Sequence, residues 1–219
     1  MQEKAKTHFI TGGILLLLFI VFTIVVKNID VQPIGPQGSS IGLAGINEFF
    51  FNLFGEHPFW YKVTDILGKL SMLVAGLFGI FGIVQLIKRK SFFKVDKDII
   101  TLAIFYIVIL NFYLLFEIVI INYRPVLLDG QLEASYPSSH TMIILCIMYS
   151  VLVQAKLRIK DTTKLSIVRI IVILIIVVTI IGRFISGVHW FSDILGGLIL
   201  GLSLCYMYSG SVYFFEANK

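Results

Sequence analysis

Charge is what this sequence has least of. Only 14% of its 219 residues are Asp, Glu, Lys or Arg and 58% are hydrophobic, against about 25% charged in an ordinary soluble domain. A soluble fold of this length could not hide that much apolar surface, so a cytosolic globular enzyme and a disordered chain are excluded. Cysteine is nearly missing. Cys146 and Cys205 both lie in apolar runs, which excludes a disulfide framework and a cysteine-based metal knuckle. No stretch alternates polar and apolar residues with period two, so a membrane β-barrel is not expected.

What the sequence does have is long hydrophobic runs. A bilayer core takes about 20 apolar residues per helix, and six runs qualify, at roughly 9–26, 63–87, 99–121, 139–155, 166–187 and 193–214. The expected fold is all-α, a polytopic bundle of six transmembrane helices forming one domain over residues 1–219. The first run follows Lys4 and Lys6. It is too long for a signal peptide and no small-residue cleavage site follows it, so it is read as a retained helix.

The basic residues carry the topology. The N-terminus (Lys4, Lys6), the loop after the second span (Lys88, Arg89, Lys90, Lys94, Lys97), the stretch after the fourth (Lys156, Arg158, Lys160, Lys164, Arg169) and Lys219 hold 13 of the 18 Lys and Arg. By the positive-inside rule both termini are expected in the cytoplasm of a multi-pass cell-membrane protein. This accounts for the net charge of +5 without a nucleic-acid partner. On the opposite side, residues 44–55 space Ile46, Phe49, Phe50, Leu53 and Phe54 as an amphipathic helix on the membrane surface. It is read as an anchor, or alternatively as a shelf guiding a lipid tail. Ser71, Ala75 and Gly79, and the pair Gly197 and Gly201, are spaced for close helix contacts.

Charged residues in or beside a span are expensive and point to function. Here they gather at span ends. The third span runs Glu117 to Arg124-Pro125, the fourth begins Pro137-Ser138-Ser139-His140, the fifth ends Gly182-Arg183, and the sixth opens with His189 and Asp193. Alternating chain direction brings all of these to the outer boundary. Singly, each has a bland reading as a snorkelling arginine, a boundary histidine or a capping aspartate. Together they suit phosphate transfer. Arg124 and Arg183 can fork onto phosphate oxygens, and the turn Ser138-Ser139-His140 offers amides without helical partners. Asp193, four residues from His189, can hold one ring nitrogen and leave the other as a nucleophile. His140 can protonate the leaving oxygen. No cofactor and no metal-ligand cluster is expected.

These residues resemble the type 2 phosphatidic acid phosphatase superfamily, which also includes vanadium haloperoxidases. Its pattern is K-x6-R-P, then P-S-G-H, then S-R-x5-H-x3-D. The chain has Glu117-x6-Arg124-Pro125, Pro137-Ser138-Ser139-His140 and Gly182-Arg183-x5-His189-x3-Asp193. The resemblance implies a membrane lipid phosphatase acting without a divalent metal on a polyprenyl diphosphate, phosphatidylglycerol phosphate or phosphatidate. His189 would be the nucleophile, Asp193 its orienter and His140 the general acid, with Arg124, Arg183, Ser138 and Ser139 binding phosphate. Three positions depart from the pattern: Ser139 for Gly, Gly182 for Ser, and Glu117 for Lys. The last puts a carboxylate where a cation would bind a dianion, and it motivates a rival reading as a weakened member that binds phospholipid without turnover. An anion carrier is a third reading, but the spans lack paired breaks.

Lys69 lies inside the second span. At 1.5 Å per residue it and Glu117 share a depth of about 10 Å, so an ion pair between them beneath the site is expected. Asp65, four residues before Lys69, is the competing partner.

Overall fold

The computed structural model describes residues 1–217. Lys219, counted with the cytoplasmic cations, lies outside the described residues. The described residues fold into seven α-helices: α1 (Gln2–Asn28), α2 (Ala44–Phe54), α3 (Pro58–Arg89), α4 (Lys97–Ile118), α5 (Ser139–Arg158), α6 (Thr162–Ile185) and α7 (Phe191–Ala217). All but α2 are long and apolar enough to cross a membrane. Among the described residues the extended backbone forms only isolated bridges, including Tyr123 with Ala134.

The two least hydrophobic spans, α5 and α7, take the centre, and α1, α3 and α6 expose most of their surface. Such a peripheral face must meet lipid, which is why Ile14, Leu73, Ile80 and Leu174 are exposed without penalty. Glycines let the central pair approach. A Cβ on Gly197 would stand 2.6 Å from the Ser138 carbonyl oxygen, and one on Gly201 would stand 2.8 Å from Leu145. The Gly197–Gly201 contact expected from spacing is therefore real. The other stripe serves helix contact only in part. Ser71 is buried, but Gly79 faces open space.

Three boundaries differ from expectation and each bears on the site. α4 stops at Ile118 rather than 121, so residues 119–138 form an irregular connection. α6 stops at Ile185, where Gly187 takes φ +73 and a Cβ would stand 2.4 Å from the Gly55 carbonyl oxygen. Only glycine fits that turn. α7 begins at Phe191, which leaves His189 ahead of the helix.

The surface helix forms where its pattern places it. Ile46, Phe49 and Leu53 are exposed. Its other face is a clamp. Phe50 stacks on Phe191 at 4.6 Å, Phe54 meets Phe184 at 5.0 Å and Phe51 meets Trp190 at 5.6 Å. Thus α2 holds down the α6–α7 turn as well as presenting an apolar face outward.

Candidate active site

The turn between α6 and α7 brings His189 to Asp193 by a route different from a shared helical face. The Trp190 amide donates to Asp193 Oδ2 at 2.9 Å, and the Asp193 amide donates back to the Trp190 carbonyl at 3.1 Å. This reciprocal cap folds the turn so that His189 Nδ1 faces the same Oδ2 at 3.6 Å. Both side chains are buried. Asp193 Oδ1 has no hydrogen-bond partner among the described residues.

The other ring nitrogen faces cations. Arg124 Nη1 lies 3.1 Å from His189 Nε2 and donates to the Val188 carbonyl at 3.2 Å. Arg124 Nε donates to Glu133 Oε2 at 3.0 Å, so Glu133, at the solvent edge of the site, is an arginine partner. Arg183 is only 1% exposed. Its guanidinium lies 5.1 Å from the Tyr61 ring centroid, and its Nε and Nη2 have no acceptor among the described residues. Burial, then the guanidinium charges of Arg124 and Arg183, hold the His189 imidazole well below the usual histidine pKa. The ring is therefore neutral, with a lone pair on the nitrogen that faces the arginines.

That depressed pKa has a sign for stability. Below about pH 6.5 the unfolded chain takes up a proton that the folded His189 refuses. The stabilisation is complete above that pH and is lost as pH falls, by at most about 1.4 kcal/mol per pH unit. His189→Gln should lose less thermal stability than the wild type between pH 7 and pH 5 in detergent, and parallel losses would contradict the assignment.

The start of α5 completes the site. Ser138 is the N-cap, and its hydroxyl accepts from the Thr141 amide at 3.5 Å and the Thr141 hydroxyl at 3.1 Å. Its own amide donates to the Asp193 carbonyl at 2.9 Å. Ser138, expected among the phosphate contacts, instead ties α5 to α7. Among the described residues the first-turn amides of Ser139 and His140 have no backbone acceptor outside the helix. A cleft lined by Glu117, Arg124, Ser139 and His189 opens here. Ser139 also lines a second, larger groove of about 570 Å³ with His140, Asp65 and Lys69 at its polar end and Met72, Ile109, Ile143 and Ile147 along its apolar length.

The expected pair of Lys69 with Glu117 does not form. Lys69 Nζ lies 2.9 Å from Asp65 Oδ2, the i,i+4 neighbour on its own helix. Glu117 stands on the wall of the arginine cleft, and Tyr113, which lines both openings, lies between. One turn of helix satisfies Lys69 locally, without the reach that a partner on α4 would demand.

Gly182 also has a structural reason. A Cβ there would stand 2.7 Å from Thr64 Cγ2 and 3.1 Å from the Trp60 ring. Restoring a side chain with Gly182→Ser should destabilise the protein by about 1–3 kcal/mol. Thr64→Ser, which removes the nearer methyl, should recover part of the loss in thermal unfolding.

With this geometry the sequence relationships become interpretable. The sequence profile of the PAP2 superfamily matches residues 71–216. The chain belongs to the PAP2 superfamily. Its fold is similar to the crystal structure of a transmembrane PAP2 type phosphatidylglycerolphosphate phosphatase from Bacillus subtilis, with a TM-score of 0.63 and 22% identity over 95% of this chain and 98% of that one. No curated protein matches the sequence significantly. A multi-pass, all-helical PAP2 membrane protein is thus established.

Some site residues had no sequence signal of their own. Asn47 on α2 is fully buried. Its Oδ1 accepts the Ser192 amide at 3.0 Å, and its Nδ2 donates to Ser192 Oγ at 2.9 Å and the Gly42 carbonyl at 2.8 Å. Asn122 accepts the Gly42 amide at 2.9 Å and reaches the same Ser192 hydroxyl at 3.3 Å. This network pins the start of α7 beside His189.

Proposed function

We propose that this PAP2 protein hydrolyses a lipid phosphomonoester or diphosphate through a phosphohistidine, at the outer face of the cell membrane. The observation that carries the reading is Arg183. A buried guanidinium with two donors lacking acceptors is costly unless an anion meets it. A second arginine, Arg124, lines one cleft with the neutral His189 imidazole, and the charges of both arginines act on that ring.

The geometry supports the following steps. Arg183, Arg124 and the first-turn amides of α5 hold the non-bridging oxygens. Arg124 leaves His189 Nε2 for a phosphate oxygen, which frees the lone pair. Nε2 attacks phosphorus, and Asp193 stabilises the positive charge that develops on the ring through Nδ1–H. The P–O bond breaks with its electron pair going to the leaving oxygen, and His140 supplies the proton. His140 then takes a proton from water, which attacks the phosphohistidine and releases phosphate. The 570 Å³ groove is apolar along its length and polar at His140, which fits a substrate with a hydrocarbon tail. The fold neighbour is named for phosphatidylglycerolphosphate, and a polyprenyl diphosphate or phosphatidate suits the same chemistry. The basic residues gathered at the other end of the bundle support an outward site.

Glu117 favours the rival, a phospholipid-binding member without turnover, because a carboxylate on the cleft wall repels a dianion. The deciding experiment uses purified protein in detergent with EDTA and a panel of these three lipids. Phosphate release blocked by vanadate is expected. Saturable lipid binding with no release would establish the rival instead.

A further inference from the structure

His140 has a partner set that the three sequence motifs do not contain. One face of α3 carries Asp65, Gly68 and Lys69 at i, i+3 and i+4. His140 packs against the middle of this face, where a Cβ on Gly68 would stand 3.2 Å from ring Cδ2 and 3.4 Å from Nε2. Asp65 lies on one side of the ring, with Oδ1 3.8 Å from Nε2. Its other oxygen is held by Lys69 at 2.9 Å. All three α3 residues precede residue 71, where the family match begins.

We propose that Asp65 is the positioning residue of His140, and that Lys69 fixes Asp65 for that task. The inference rests on the phosphatase reading above. An imidazole has two distinct nitrogens, and the partner of one decides what the other presents. With Nε2–H toward the Asp65 carboxylate, the protonated ring carries its second proton on Nδ1, and that proton passes to the leaving oxygen as the P–O bond breaks, leaving a neutral imidazole. The pair thus repeats on His140 what Asp193 does for His189. Gly68 lets the ring seat closely on α3, since a Cβ there would press on ring Cδ2 at 3.2 Å. Lys69 neutralises a carboxylate that would otherwise repel an arriving phosphate. The other charged groups acting on His140 are Arg183 from α6 and Arg124 from the loop before α5, and both are committed to phosphate. That leaves Asp65 as the group that orients the ring.

The role predicts dependence on the leaving group. An alkoxide leaving from a lipid monoester needs the proton, whereas p-nitrophenolate does not. Asp65→Asn should lower kcat for a lipid monoester about 10- to 100-fold, with KM nearly unchanged and the first-turnover burst of p-nitrophenolate from p-nitrophenyl phosphate within about 3-fold of the wild-type rate. Asp65→Glu should restore most of the lipid activity. His140→Asn should show the same split between lipid turnover and the p-nitrophenolate burst, while its steady-state turnover of both substrates falls, and the double variant should be no worse than His140→Asn alone, because both act through one ring. Equal losses of lipid turnover and of the burst, no loss of either, or losses that multiply in the double variant would each overturn the proposal. His189→Ala is the separate control. If it retains activity, the phosphohistidine reading fails, whatever Asp65 does.

Discussion

His189→Ala should cut phosphate release by about 10³-fold or more, the scale of losing a covalent nucleophile. The argument is geometric. His189 turns Nδ1 toward Asp193 at 3.6 Å and presents Nε2 to Arg124 at 3.1 Å. Removing the ring leaves the arginines in place, so substrate should still bind and KM should change little. Rapid acid-free quenching of wild type with labelled substrate should trap a phosphoprotein that is labile in acid and stable in base, as a phosphoramidate is. His189→Ala should trap none. His140→Asn should still form it from p-nitrophenyl phosphate, because that leaving group departs without a proton. A trapped phosphoprotein in His189→Ala would move the nucleophile elsewhere.

The second large effect is expected at Arg183, and its sign for stability is opposite to its sign for activity. The side chain is buried at 1% exposure, with two donors unmatched. Methionine fills similar space without the desolvation cost, and such replacements of buried charge are neutral or stabilising by about 1–4 kcal/mol. Arg183→Met should therefore unfold at the same temperature or a few degrees higher in phosphate-free detergent. Its kcat/KM should nevertheless fall by about 10²–10³-fold, the scale of removing one donor from a developing anion. Orthovanadate should raise the unfolding temperature of wild type and not of Arg183→Met, because a ligand stabilises only the state that binds it. Loss of stability together with activity would mean that Arg183 is structural, held by Tyr61 at 5.1 Å, and would remove the anion argument.

The surface helix shows how a correct local reading can miss a functional role. Its outward face, Ile46, Phe49 and Leu53, follows directly from hydrophobic spacing. Nothing in that spacing says that Phe50 and Phe51 reach Phe191 and Trp190, or that Asn47 joins Ser192 across 145 residues of sequence. Lys69 shows the converse. Two partners were available at the right depth, and the i,i+4 carboxylate won. Helix depth is computed from rise alone, whereas pairing across a bundle also needs the rotation of each helix, which packing sets.

The six spans and the helical class followed from the sequence alone, because a bilayer accepts few solutions for chains this apolar. The gathering of Arg124, His140, Arg183, His189 and Asp193 was legible for the same reason: alternating spans return every second loop to one side. Tertiary structure alone decided what those side chains do to each other. The Trp190–Asp193 cap orients His189, Ser138 joins helices instead of facing an anion, and Asp65 rather than Glu117 takes Lys69. Such outcomes turn on differences of an ångström and on which donor is already engaged, and no pattern of residue types encodes either.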